Sequence, residues 1–222
     1  MFQRHSPFEF SRLVLRLGNV YTDNMTINDN SVNIKAYHHG DLWSAVVAEG
    51  LRLLTEREAD TLSLREIARN VGVSATALYR HFPDKASLLA ALATAGYAML
   101  AEKQKDAATG EGQERFAQLG RAYVRFAVAN PALFRLIFVN SPADMNAHSI
   151  APTGSAASLL EQGVAQMMGK NAPPEARFAV MLRAWSLVHG LSMLILDRQI
   201  KVDDALIDQV ISSTSVGFDL PL

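Results

Sequence analysis

The chain contains 222 residues, of which 49% are hydrophobic and 19% charged, a globular composition that excludes a disordered or fibrous protein. Because it has no cysteine, disulfide bonds, thiolate metal sites, iron–sulfur clusters and a cysteine nucleophile are excluded. The net charge of −1 excludes bulk basicity as a basis for nucleic-acid binding, so any surface that binds nucleic acid must be local.

Length and charge distribution together predict a soluble, cytoplasmic protein. At this size a chain buries a core without crosslinks, and two domains are the working expectation. The longest uncharged run, residues 86–101, is shorter than the roughly 20 apolar residues that a membrane span needs. The first residues lack the cleavage pattern of a secretory signal, so export is not expected.

Residues 1–33 differ in composition from the rest of the chain. Asn, Asp and Thr cluster between Thr22 and Asn33, with Met25 inside the cluster. We expect a flexible N-terminal tail, because chain termini are loose unless they are tied down. A native start at Met25 is a second interpretation of the same segment, and N-terminal mass spectrometry of the native protein would decide between the two.

Helical periodicity begins near residue 41. Apolar residues at helical spacing over 42–54 predict a first helix. The S-x-x-E pattern of Ser63 and Glu66 predicts a capping box, in which both side chains satisfy backbone groups at the start of a second helix. Gly72 ends that helix as a left-handed residue.

The remaining pattern is also helical, which predicts an all-α protein of about nine helices. Ser74 is the expected cap of a short third helix that Pro83 prevents from continuing, and Asp84 caps a long fourth helix that begins at Lys85. The fourth helix stops at the glycines near residue 110. Five further helices are predicted at about 116–127, 131–138, 155–168, 175–196 and 203–216, with loops at 140–154 and 171–174.

The second and third helices have the form of a helix-turn-helix. The tight turn at residues 71–74 contains a glycine, and a third helix of this kind is narrow enough to enter the major groove of DNA. Leu78 is expected to point inward. The residues left facing outward are Ala75, Thr76, Tyr79 and Arg80. Residues 61–85 carry four cationic side chains (Arg65, Arg69, Arg80 and Lys85) and two acidic ones (Glu66 and Asp84).

Three runs in this region, LREIA at 64–68, GVS at 72–74 and LYRHFPDK at 78–85, resemble the DNA-binding domain of the tetracycline-repressor (TetR) family. The resemblance spans about residues 37–92. It implies that Tyr79 and Lys85 contact mainly the DNA backbone, and that residues 75, 76 and 80 lie nearer the bases. His81 has two interpretations, a phosphate contact or packing near Pro83. The candidate DNA-binding residues are Ser63, Arg65, Ser74, Ala75, Thr76, Tyr79, Arg80, His81 and Lys85.

The C-terminal part is similar to the WHG subgroup of sensor domains in the same family, on the evidence of WSLVHG at 185–190 and NPALFRLIF at 130–138. The similarity implies a helical ligand-binding domain whose last two helices pair with their counterparts in a homodimer. Packing is the alternative role for Trp185, and a hydrogen-bonded core position is the alternative for His189. The candidate pocket residues are Phe126, Phe134, Phe138, Met181, Trp185 and His189.

The sequence therefore predicts three segments: a tail at 1–33, a helix-turn-helix DNA-binding domain at 34–84, and a ligand-binding and dimerisation domain at 85–222. The expected function is a homodimeric repressor that a small-molecule effector releases from a palindromic operator in double-stranded DNA, with activation as the alternative. Two other classes of protein are the alternatives to a transcriptional regulator. An enzyme is disfavoured because HExxH, GxSxG and phosphate-binding glycine motifs are missing, and no metal or cofactor is expected. A protein-binding adaptor is the second rival.

Overall fold

The computed structural model describes residues 39–139, 155–169, 171–201 and 203–213. The predicted tail, Met25 and the predicted loop at 140–154 lie outside these residues. Within them every regular element is a helix, which confirms the all-α class. The nine α-helices described are α1 His39–Leu53, α2 Leu64–Val71, α3 Ala75–His81, α4 Lys85–Ala107, α5 Gly112–Ala129, α6 Pro131–Val139, α7 Ala156–Met168, α8 Pro174–Leu196 and α9 Asp204–Ser213.

Three predicted helix boundaries are confirmed by the backbone. Gly72 ends α2 with φ 79° and ψ 29°, the left-handed conformation. The Ser74 hydroxyl accepts a hydrogen bond from the Ala77 amide at 3.2 Å, which caps α3. The Asp84 carboxylate accepts one from the Ser87 amide at 2.7 Å, which caps α4. Local polar chemistry therefore fixes where the helices around α3 begin and end.

The predicted capping box at the start of α2 is wrong. Ser63 occupies the N-cap position with φ −125°, yet its side chain makes no capping hydrogen bond. The Glu66 carboxylate lies instead 2.7 Å from Nη2 of Arg57, a residue before the 3-10 turn Ala59–Thr61. The carboxylate of Glu66 is therefore attracted to an opposite charge outside α2 and is directed away from the helix end.

Replacing Gly72 by Ala is expected to lower the free energy of unfolding by about 1–2 kcal/mol, because a Cβ destabilises the left-handed conformation. A Cβ at this position would meet no atom within 4 Å, so backbone strain is the only cost. Gly72→Asn should cost less, since Asn tolerates this region. Urea denaturation of the three proteins is the measurement, and equal losses for Ala and Asn would contradict the explanation.

The described residues divide into two compact units. The first contains residues up to Gly96 and residues 135–139, and the second contains 97–134 and the described residues from 155 onward. The division falls inside α4, between Gly96 and Tyr97. The limits predicted from the sequence, 34–84 and 85–222, stay a prediction.

In the first unit α1, α2 and α3 pack around fully buried side chains. A Cβ added to Gly50 of α1 would lie 2.8 Å from Cδ2 of Leu92 on α4, so the glycine permits a close approach of these helices. The ring of Trp43 stacks on Phe82 at 6.3 Å. The main fully buried side chains of this core are Val46, Val47, Leu51, Ile67, Leu78, Phe82, Leu88 and Leu92.

In the second unit α5 is the central helix and packs against α7, α8 and α9. A Cβ at Gly163 of α7 would lie 2.6 Å from Cδ2 of Phe116, so this pair of helices also needs a glycine to meet. The apolar core between α5, α8 and α9 consists of Ala117, Val124, Leu191, Ile195, Ile207 and Ile211.

Charged side chains also join α5 to α9. Arg121 is 15% exposed; its guanidinium lies 2.7 Å from Glu114 and 3.2 Å from Asp208, and it donates to the Ser212 hydroxyl at 2.8 Å. Arg125 pairs with Asp204 at 3.0 Å and with Asp208 at 3.2 Å. We call these six side chains the α5–α9 charge network.

One described helix, α8, is long and apolar enough by length and composition to cross a membrane. Its mean hydropathy reaches 1.6 over an 18-residue window, and only 28% of that window is buried inside the chain. Core helices of globular proteins pass the same test when they are buried, whereas much of α8 is not.

Candidate functional site

Helix α3 has one buried and one outward side. Leu78 has no exposed surface and anchors the helix, as predicted, while the neighbouring Tyr79 is 40% exposed. Thr76 and Arg80 are exposed on the same outward side. The Ser74 cap fixes the first turn and Phe82, buried at the last residue before Pro83, fixes the other end. A short, rigid helix therefore presents a polar and aromatic surface to solvent.

The structure shows where each candidate DNA-binding residue lies, while their contacts with DNA stay predictions. All nine belong to the first unit: two lie at the start of α2, six in α3 or its cap, and one at the start of α4. The exposed members are Ser63, Arg65, Ser74, Thr76, Tyr79 and Arg80, and the half-buried members are Ala75, His81 and Lys85.

The arginines of α1 and the turn after it differ in their pairing from those of α2 and α3. Arg52 pairs with Glu49 at 2.8 Å and with Glu56 at 2.7 Å, and Arg57 pairs with Glu66. Arg65, Arg69 and Arg80, on α2 and α3, form no ion pair among the residues that the structure describes. Positive charge that acidic side chains do not offset is therefore concentrated on the two helices of the helix-turn-helix, although the chain as a whole is slightly acidic.

Lys85 already has a partner inside the unit. Its ammonium donates a hydrogen bond to the backbone carbonyl of Asp60, in the 3-10 turn before α2. An ammonium has three donors, so this bond leaves capacity for a phosphate oxygen. His81 is half-buried, and the structure leaves both of its interpretations open.

The candidate pocket residues are distributed over both units. Phe126 and Phe134 are buried in the second unit, and Met181, Trp185 and His189 are half-buried there on α8. Phe138, half-buried near the end of α6, belongs to the first unit. Whether any of them contacts a ligand stays a prediction.

Tyr123 of α5, which the sequence analysis missed, joins three of these aromatic side chains. The indole N–H of Trp185 donates to the Tyr123 hydroxyl at 3.3 Å, and that hydroxyl lies 3.0 Å from Nδ1 of His189. The rings of Phe134 and His189 stack with centroids 5.6 Å apart. Tyr123 lies three residues before Phe126 on the apolar side of α5, and that spacing is the signal that could have identified it.

The directions of these hydrogen bonds follow from the groups involved. An indole N–H can only donate, so the Tyr123 oxygen accepts from Trp185. The tautomer of neutral His189 sets the direction of the second bond: the Tyr123 O–H donates when the imidazole proton is on Nε2, and the Tyr123 oxygen accepts when the proton is on Nδ1. Burial lowers the pKa of His189 and raises the pKa of the Tyr123 hydroxyl, so both groups are held neutral.

The neutral state of His189 should make stability depend on pH. Its pKa is lowered in the folded protein, so below about pH 6.5 the unfolded chain takes up a proton that the folded chain resists. Neutral His189 therefore makes its full contribution to the stability of the folded protein above about pH 6.5, and this contribution declines as the pH falls through that value. Thermal unfolding of the native protein and of His189→Gln between pH 5 and 8 measures this, because the five other histidines remain in both proteins. Parallel pH profiles would contradict the expectation.

Among the residues described, no group of three His, Asp or Glu side chains has the arrangement of a metal site.

Two family models match the chain. Residues 46–92, which include α2 and α3, match the model described as bacterial regulatory proteins of the tetR family. Residues 116–213, which include most of α5 and all of α6 to α9, match the model of the tetracyclin repressor-like C-terminal domain. The two models thus cover both units.

Individual proteins give the same result. HTH-type transcriptional regulator Rv1816 of Mycobacterium tuberculosis is 33% identical over 97 residues, which span 42% of this chain and 42% of that regulator. A solved structure of a protein with unknown function from Rhodococcus sp. RHA1 is 30% identical, with a TM-score of 0.62 over 83% of this chain and 97% of that one. A TetR variant from Acinetobacter baumannii AYE, solved in complex with minocycline, has the same fold at 23% identity, with a TM-score of 0.56 over 78% of this chain and 94% of that one.

Proposed function

The chain belongs to the TetR family of bacterial regulatory proteins, and on that premise we propose that it is a homodimeric transcriptional regulator that binds a palindromic operator in double-stranded DNA. A small-molecule effector releases it from the operator, so that the protein acts as a cytoplasmic repressor rather than as an enzyme.

The observation that carries this proposal is the outward side of α3. Thr76, Tyr79 and Arg80 are exposed beside a fully buried Leu78, on a helix of 7 residues. A helix of this width fits the major groove, where a threonine methyl can touch a thymine methyl and an arginine can bond a guanine or a phosphate. The small Ala75 lets the start of the helix approach the base edges closely.

The charge distribution supports the same assignment. Arg65, Arg69 and Arg80 pair with no acidic side chain among the described residues, and the ammonium of Lys85 bonds only a backbone carbonyl. Each phosphate that they neutralise releases a counterion, so binding should weaken steeply with salt. A dimer doubles this small footprint and supplies the two-fold symmetry that a palindromic operator requires.

The second unit supplies dimerisation and effector binding in this proposal. α8 and α9 form the interface with a second copy, which would cover the exposed apolar surface of α8. The effector binds near the aromatic side chains of α5, α6 and α8. It shifts the protein away from the DNA-binding state only by its difference in affinity for the two states, and a nearly complete shift requires about 5.5 kcal/mol.

A binding assay with the Tyr79→Ala variant tests the assignment of α3. We expect Tyr79→Ala to weaken binding about tenfold or more on every operator tried, because this contact positions the helix on the DNA backbone without reading sequence. Fluorescence anisotropy with DNA from upstream of the protein's own gene, at several salt concentrations, measures it.

Two controls accompany that assay. Tyr79→Phe keeps the ring and should lose less affinity than the alanine variant, and Glu58→Ala, exposed in the same unit, should bind as the native protein does. Unchanged affinity of Tyr79→Ala at physiological salt would contradict the assignment of α3. No salt-sensitive binding over many promoters would favour the adaptor, and increased transcription on binding would identify an activator.

A further inference from the structure

Helix α8 carries a row of outward residues spaced four apart. Phe178, Leu182 and Leu194 belong to the row and are 39%, 46% and 47% exposed, which is high for large apolar side chains. Ser186 and Gly190 lie between the two leucines in the same row. Residues four apart on a helix form a surface ridge of the kind that packs against another helix, and we call this row the α8 ridge.

The centre of the α8 ridge is small and open. Ser186 is exposed, and a Cβ added to Gly190 would meet no atom within 4 Å. Val188, on the opposite side of the same turns, faces the apolar core of the second unit, so the helix itself is firmly held. A second helix can therefore approach the backbone of α8 closely at Ser186 and Gly190.

The four inner members of the α8 ridge are symmetric about the level of residue 188. Leu182 and Leu194 lie six residues on either side of that level, and Ser186 and Gly190 lie two residues on either side. If a second copy of the helix crossed in the antiparallel direction at this level, Leu182 would meet Leu194 of the second copy. Ser186 would meet Gly190 of the second copy in the same way. A two-fold interface requires this kind of self-complementarity.

Charge favours the antiparallel direction over the parallel one. Arg183 is exposed beside Leu182, and a parallel crossing would place the two copies of this arginine next to each other. In the antiparallel crossing the two copies of Arg183 lie on opposite sides of the centre, each five residues from it. At a rise of 1.5 Å per residue they are about 15 Å apart along the helix. The dipoles of the two helices point in opposite directions in the antiparallel crossing, and this also favours that crossing, by a smaller free energy.

We propose that α8 crosses α8 of a second copy in the antiparallel direction at the level of residue 188, with Ser186 against Gly190 of the second copy. This proposal rests on the homodimer proposed above and adds the register of its interface. The occupant is a second copy rather than a lipid bilayer, because Arg183 lies in the middle of the apolar stretch and a charged side chain there is costly in lipid.

Engineered cysteines test the register, since the native chain contains none and every thiol is therefore an introduced one. The double variant Ser186→Cys/Gly190→Cys should form an interchain disulfide under mild oxidation, because its cysteines meet within the roughly 7 Å between Cα atoms that a disulfide spans. Either single variant should give an interchain disulfide yield at least tenfold lower, since its cysteine and the same cysteine of the second copy are offset by about 6 Å along the helix. Non-reducing gel electrophoresis of the full-length protein gives both yields.

Gly190→Leu provides an independent test that does not depend on thiol chemistry. The added side chain enters open space within its own chain and improves helix propensity, so helical content by circular dichroism should be unchanged. Dimerisation measured by analytical ultracentrifugation should weaken at least tenfold, whereas Ser186→Ala should leave it as in the native protein.

The outcomes separate the two proposals. A dimer in which the double variant fails to crosslink, or in which the single variants crosslink as well as the double one, overturns the register and leaves the homodimer standing. A native protein that is monomeric at micromolar concentration, or that sediments with added phosphatidylcholine vesicles instead of self-associating, overturns the homodimer and the register together.

Discussion

Leu78→Ala is expected to lower the free energy of unfolding by about 2–5 kcal/mol, the range found when a large core side chain is truncated. Leu78 is fully buried where α3 packs on α1 and α2, and α3 is too short to hold its place without this anchor. Urea denaturation followed by circular dichroism measures the loss, and operator affinity should fall with it because α3 no longer has one fixed position.

The matched control is Leu89→Ala. This leucine lies on α4 in the same unit but is only half-buried, so its truncation should cost clearly less than that of Leu78. If the two substitutions were equally destabilising, the burial of Leu78 would not be what holds α3. Full operator affinity in a Leu78→Ala protein that remains folded would also contradict this explanation.

Thr76→Glu is expected to weaken operator binding about 30-fold or more while the protein stays folded. The side chain is exposed, so the change should alter stability by no more than about 0.5 kcal/mol. A carboxylate on the outward side of α3 repels phosphates and removes the contact of one base pair in each half-site. At about 1–3 kcal/mol for each half-site, the dimer loses about 2–6 kcal/mol of binding free energy. This corresponds to a loss of roughly 30-fold to 10⁴-fold in affinity.

Thr94→Glu is the control for charge alone. Thr94 is exposed on α4 in the same unit, so the substitution adds the same carboxylate away from α3. It should reduce operator affinity severalfold at most, and added salt should recover much of that reduction. Comparable losses in the two variants would mean that net charge, and not the position of Thr76, controls binding. Anisotropy titrations with one operator fragment at two salt concentrations give the comparison.

The region around α3 could be predicted because its signals are local. Gly72, Ser74, Pro83 and Asp84 each act on backbone groups within a few residues, so the sequence alone specifies where α2 ends, where α3 begins and ends, and where α4 begins. The inward position of Leu78 follows from the same helical spacing. This is why the class, the helix boundaries and the exposure of Thr76 could all be foreseen.

Features that depend on residues distant in sequence could not be predicted in this way. Glu66 matches a capping pattern, yet Arg57, nine residues earlier, is the partner that it takes. The bond from Lys85 to the carbonyl of Asp60 spans 25 residues, and no periodicity indicates it. In each case more than one partner is compatible with the sequence, and the tertiary fold determines which partner the charged side chain contacts.

The contacts among the candidate pocket residues could not be predicted for the same reason. The sequence placed Trp185 and His189 on an apolar helix but gave no partner for either, and Tyr123, 62 residues before Trp185, is the residue that joins them. The boundary between the two compact units falls inside α4, whose sequence pattern is continuous across Gly96 and Tyr97.

The α5–α9 charge network has a consequence for how the end of the chain opens. Arg121 is only 15% exposed and contacts both Asp208 and Ser212 of α9, so detaching α9 removes two partners of a largely buried guanidinium at once. The amide hydrogens of residues 204–213 should therefore exchange with deuterated solvent in a single cooperative step rather than fray progressively from Ser213.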